Sequence, residues 1–125
     1  MTHKQIDPEK AAITHVELAG IVVDPLPENA VARIGGHTDS PLKTVGYDFV
    51  NKGDEQGIFR YDTHYPEGWR VKLDPTNPMH RAELNAVKVG IECSGMLGLH
   101  SGYSKDEGSN LKTAIEMIDQ ALGSK

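Results

Sequence analysis

The sequence predicts an α+β fold. It is read as a single domain spanning residues 1–125, with an antiparallel β-meander of about five or six strands packed by a C-terminal amphipathic helix and one or two short helices. Three observations carry this expectation. The centre of the chain alternates apolar and polar residues in successive runs, its C-terminal end repeats apolar residues at helical spacing, and 13 glycines and seven prolines supply frequent turns. At 125 residues the chain is long enough to bury one core without disulfide staples, and its 38% apolar content is too high for wholesale disorder.

Residues 1–6 are polar and are expected to form a frayed tail. Asp7-Pro8-Glu9 then has the form of a helix start, an acidic N-cap followed by proline at the first helical position. His15 to Val23 reads as a strand, ended by Asp24-Pro25. In the centre, Val45, Tyr47 and Phe49 alternate with Gly46, Asp48 and Val50. Phe59 and Tyr61 alternate with Ile58, Arg60 and Asp62, and Trp69, Val71 and Leu73 alternate with Arg70 and Lys72. Turn-forming stretches at 51–55 and 63–67 separate these runs, so consecutive hairpins are predicted.

Asn77-Pro78 repeats the cap-and-proline signature and opens a short helix to about Leu84. Val87, Val89, Ile91 and Cys93 alternate with Lys88, Gly90 and Glu92, which predicts a further strand. Gly90, Gly95 and Gly98 weigh against a single long helix. Residues 94–110 read as a loop. Ser109 caps the last helix, Leu111, Ala114, Ile115, Ile118 and Leu122 form its apolar stripe, and Gly123 stops it.

The lone cysteine, Cys93, excludes an internal disulfide, and alternation turns it inward as a small apolar residue. No apolar run approaches the roughly 20 residues of a membrane span, and Met1-Thr2-His3-Lys4-Gln5 lacks the apolar stretch of a secretory signal. A cytoplasmic location and no membrane partner are therefore expected. With 13 basic and 18 acidic residues the net charge is −5, so an extended nucleic-acid partner is not expected, although a local basic site is allowed. Several potential edge strands make a homo-oligomer the expected assembly.

The pleat points to a site. If Trp69, Val71, Leu73, Phe59 and Tyr61 face the core, Arg60, Arg70 and Lys72 share the opposite face, with His64, His80 and Arg81 at the rim. Three cations on adjacent strands suit a phosphate-bearing, nucleotide-like anion. The leading expectation is thus a small, non-enzymatic binding protein for such a ligand. The competing reading is an ordinary solvated face on which Asp48 and Asp62 pair these cations. A second function class is a metal-independent ribonuclease, with His64 and His80 as acid and base and Arg60 or Lys72 stabilising the phosphorane. A third is a protein-interaction module of inhibitor or immunity type, acting through an acidic surface.

No cofactor or metal is expected. Gly95, Gly98 and Gly102 do not make a phosphate loop, and Cys93 has no cysteine partner for a metal site. Gly36-His37-Thr38-Asp39-Ser40-Pro41 resembles the stretch that carries a zinc-binding histidine in aspartyl aminopeptidases. That resemblance covers residues 36–41 and implies His37 as the ligand. A turn built by Thr38-Asp39-Ser40-Pro41 accounts for the same composition without metal.

Overall fold

The computed structural model describes residues 11–21, 30–39, 44–62, 69–94 and 105–123. The expected helix at Asp7-Pro8, the tail at 1–6 and the turn at 63–67, with His64 in it, lie outside the described residues. Five strands form one sheet: β1 (Val16–Ile21), β2 (Ala30–Thr38), β3 (Thr44–Val50), β4 (Gly57–Asp62) and β5 (Arg70–Lys72). Their spatial order is their sequence order and every pairing is antiparallel, as in a meander. Two helices follow, α1 (Pro78–Ser94) and α2 (Lys105–Leu122). The α+β single-domain architecture is the one the sequence predicts.

Both helices cover the same face of the sheet. Ala32, Ile34, Val45, Tyr47, Phe49, Ile58 and Val71 point toward them, and Leu84, Val87 and Ile91 of α1 meet Leu111, Ala114 and Ile118 of α2 in a single core. Lys88 Nζ reaches Asp119 at 2.6 Å, and Arg81 donates to the Leu122 carbonyl at 2.9 Å, which ties the two helices together at their surface. Among the described residues no helix is long and apolar enough to cross a membrane.

Helix α1 corrects two expectations, the short helix to Leu84 and the strand over Val87–Cys93. It is one helix of 17 residues. It begins as predicted, with Asn77 Oδ1 accepting the Met79 N–H at 2.8 Å and Pro78 in the first turn. Beyond Leu84, the alternation of Val87, Val89, Ile91 and Cys93 coincided with a helical stripe at 80, 83, 84, 87 and 91. Ile91 and Val87 are buried, whereas Val89 and Cys93 are exposed, so the inward placement of Cys93 is also overturned. Gly90 belongs to packing and not to a break. A Cβ there would stand 2.5 Å from the carbonyl oxygen of Val16, so its bare backbone lets α1 approach β1.

Strand β2 was not anticipated beyond the turn-like string at its end, because Gly35 and Gly36 interrupt the pattern and Arg33 falls inside it. The pairing gives the first of these glycines its setting. Gly35 stands opposite Gly46, and the ring of Tyr61 occupies the space over Gly46, where a Cβ would lie 2.4 Å from it. The expected turn residue Asp39 acts as a clasp: its carboxylate accepts from the Thr14 hydroxyl at 2.6 Å and from the backbone N–H groups of Thr14 and His15. Helix α2 begins at Lys105, four residues before the expected cap at Ser109, and ends as predicted at Gly123, whose φ of 72° suits glycine.

Gly90→Ala sets two effects against each other. Alanine gains about 1 kcal/mol of helix propensity, but the clashing atom is a backbone oxygen that cannot rotate away, and overpacking costs about 1–3 kcal/mol. Net destabilisation in denaturant unfolding is expected, and unchanged or raised stability would refute the close approach. A second prediction concerns acid. The Thr14 hydroxyl and neighbouring N–H groups hold the Asp39 carboxyl below its usual 3.8, and the Thr76 N–H and hydroxyl do the same for Asp74. A depressed folded value means that both clasps contribute fully above the ordinary carboxylate range and are lost as pH falls through the lowered values. Carboxyl NMR titration should find both groups below 3.8.

Candidate functional site

The register of β4 and β5 decides where each predicted cation goes. Arg60 stands opposite Val71, while Phe59 stands opposite Lys72 and Tyr61 opposite Arg70. Arg60 and Val71 therefore share one face, and Phe59, Tyr61, Arg70 and Lys72 share the other. The expectation that Arg60, Arg70 and Lys72 lie together opposite Phe59, Tyr61 and Val71 is corrected here. Alternation was right within each strand, but the two strands are paired out of the assumed phase.

Arg60 lies beneath α1, fully buried. Its guanidinium forms a two-point ion pair with Glu83, Nε to Oε2 at 2.8 Å and Nη2 to Oε1 at 2.9 Å. Tyr47, the cross-strand neighbour of Arg60, donates its hydroxyl to the same Glu83 Oε2 at 2.8 Å. Burial first, then the adjacent Glu83 carboxylate, holds the Tyr47 hydroxyl well above its ordinary value of 10.0. Glu83 was not singled out from the sequence, yet it left a signal: an acid inside the apolar stripe of α1 calls for a buried partner.

The face away from the helices carries a different trio. Asp48, itself buried, accepts from Arg33 Nε at 2.7 Å and Nη2 at 2.9 Å, and from Arg70 Nη2 at 3.1 Å. Arg33 lies over the Tyr61 ring at 4.8 Å and Arg70 over the Phe59 ring at 4.3 Å. The pairing of Asp48 with Arg70 is the one the competing reading expected, with Arg33 as the main partner. Asp62 is on the parity of Arg60 and does not join this face. Lys72, exposed on the same face as Arg70, makes no ion pair among the described residues, and its stem lies across Gly57.

Beside Lys72, the end of the sheet at the β3–β4 turn and the C-terminal half of α2 enclose a cleft of about 480 Å³. Ile58, Leu73, Leu84, Met117 and Ala121 form its apolar lining, and Lys72 stands on its wall. Its size falls within the range of small-molecule sites.

The remaining predicted residues lie elsewhere. Arg81 donates to the carbonyls of Pro75 and Leu122 and fastens the start of α1 to the end of α2. His80 is buried, and its Nδ1 accepts the Asp74 N–H at 2.8 Å. That bond leaves the ring proton on Nε2, which has no hydrogen-bond partner among the described residues. Neither nitrogen of His80 is an open proton acceptor, and His64 lies outside the described residues, so no observation favours the ribonuclease pair. His37 is exposed on β2, and among the described residues no three His, Cys, Asp or Glu side chains gather as a metal site requires. Comparison with family models, curated proteins and solved structures finds no match to this chain.

The buried pair yields a sharp mutational test. Glu83→Ala strands the Arg60 charge in the core and should cost about 3–5 kcal/mol, whereas replacing both partners, Arg60→Met with Glu83→Leu, should recover most of that loss. Chemical denaturation of the two variants checks this. Equal losses in the single and double variants would show that the stranded Arg60 charge is not what the single variant costs.

Proposed function

We propose that this chain is a small, cytoplasmic, non-enzymatic binding domain whose ligand carries a phosphate or a comparable anionic group, held by Arg70 and Lys72. One observation carries the reading. Two guanidiniums share the single carboxylate of Asp48, and Lys72 follows two positions along the same strand face, so these four groups together carry a net positive charge although the chain is net negative. Arg60, expected as a ligand-binding cation, is replaced on this face by Arg33, which serves as a support. Its fork is spent on Asp48, and its plane, stacked on Tyr61, helps to hold Asp48 and through it Arg70. Arg70 keeps donors outside its bond to Asp48 and is 41% exposed, and Lys72 contributes a mobile ammonium.

Binding to the native state alone raises stability by about 2.7 kcal/mol when ligand stands at a hundred times its dissociation constant. Pyrophosphate and a panel of nucleotides should therefore raise the melting temperature by several degrees. Arg70→Ala and Lys72→Ala should each diminish that shift, and Arg81→Ala should not. No shift with any phosphate compound would remove the proposal.

A further inference from the structure

Resting on that anion site, we infer that the cleft beside Lys72 takes the body of the ligand, and that the ligand is an amphiphile: an aliphatic chain or ring ending in a carboxylate or phosphate. Lys72 belongs to both places. It shares the outer sheet face with Arg70, and it forms part of the wall of the cleft. A head group on its ammonium therefore has apolar space within reach for whatever it is attached to.

The lining sets the chemistry of that body. Ile58, Leu73, Leu84, Met117 and Ala121 present aliphatic surface and a thioether. Among the described residues no aromatic side chain lines the cleft, so they offer a planar base no stacking partner there. The aromatic rings of the outer face among the described residues, Phe59 and Tyr61, are already covered by Arg70 and Arg33. A flexible Met117 lets the cleft adapt to chains of different length. This shifts the expected ligand from a nucleotide toward an acyl carboxylate or an alkyl phosphate, with the head group as the shared chemistry.

Titration calorimetry with butanoate, hexanoate, octanoate and octyl phosphate, below their micellar concentrations, tests the assignment against pyrophosphate as the head-group control. Each methylene removed from water adds to affinity, so in this partly open cleft affinity should rise severalfold per two-carbon step, with one molecule bound per chain. Octyl phosphate and octanoate should compete, and Lys72→Ala should weaken both. Ala121→Trp, which fills the cleft, should abolish the chain-length dependence and leave pyrophosphate binding intact. Should that variant fail to fold, the methionine methyl resonances of the native chain serve instead: octanoate should move one of the four, which Met117→Leu removes, and pyrophosphate should not. Pyrophosphate binding with no gain from chain length overturns the cleft assignment alone. Absence of pyrophosphate binding overturns the anion site beneath it.

Discussion

A fully buried ion pair organises this fold. Arg60 sits in the middle of a central strand, under a helix, where an unpaired guanidinium would be prohibitively costly. Glu83 is the group that makes the position tenable, and it is held on the far side of the core by α1. The two-point geometry with Arg60, plus the Tyr47 hydroxyl on the same carboxylate oxygen, allows one placement of α1 along and across the sheet. Apolar contacts of Leu84, Val87 and Ile91 stabilise the helix wherever they are buried. The directed bonds select among those placements, as buried polar groups do in the best-attested cases.

Close backbone approach is the second constraint, and it follows from that placement. With α1 held over the sheet, its Gly90 meets the carbonyl of Val16, and the missing side chain is what permits the contact. The outer face uses the same device differently. Gly46 yields its space to the Tyr61 ring, the ring supports Arg33, and Arg33 with Arg70 surrounds Asp48. One face thus pairs its arginine with a carboxylate of its own, while on the other, among the described residues, two arginines share the Asp48 carboxylate. That asymmetry is what the proposed anion site on the outer face rests on. The cleft at the end of the sheet adds apolar area next to the same lysine, so affinity and selectivity can come from adjacent surfaces.

Legibility in the sequence varied with how local the deciding interaction was. The runs over β3, β4 and β5 and the stripe of α2 were readable because their period reports a buried face directly. Asn77-Pro78 was readable because capping is chemistry within a few residues. Arg33 was missed because its strand has two adjacent glycines, Gly35 and Gly36, in place of side chains that would report a period, and its role follows only from pairing with β3, where it stands opposite Asp48. The second half of α1 was misread because four apolar residues at alternate positions satisfy a strand pattern and, in part, a helical one. Helix continuity tipped the balance once Gly90 had a partner surface.

What the sequence by itself determined was the kind of domain, a meander with helices on one side, the start of α1, the end of α2 and which residues within each strand share a face. What only the tertiary structure decided was how neighbouring strands are phased, and with that the face on which Arg60 stands, the identity of its partner and which cations share the outer face. The physical reason is that side-chain alternation is a property of one strand, whereas phase between strands depends on pairing register. Register in turn is settled by turns and by burial across the whole sheet. Two strands with correct patterns can be joined in either phase, and here the phase set Arg60 against Val71, in the core.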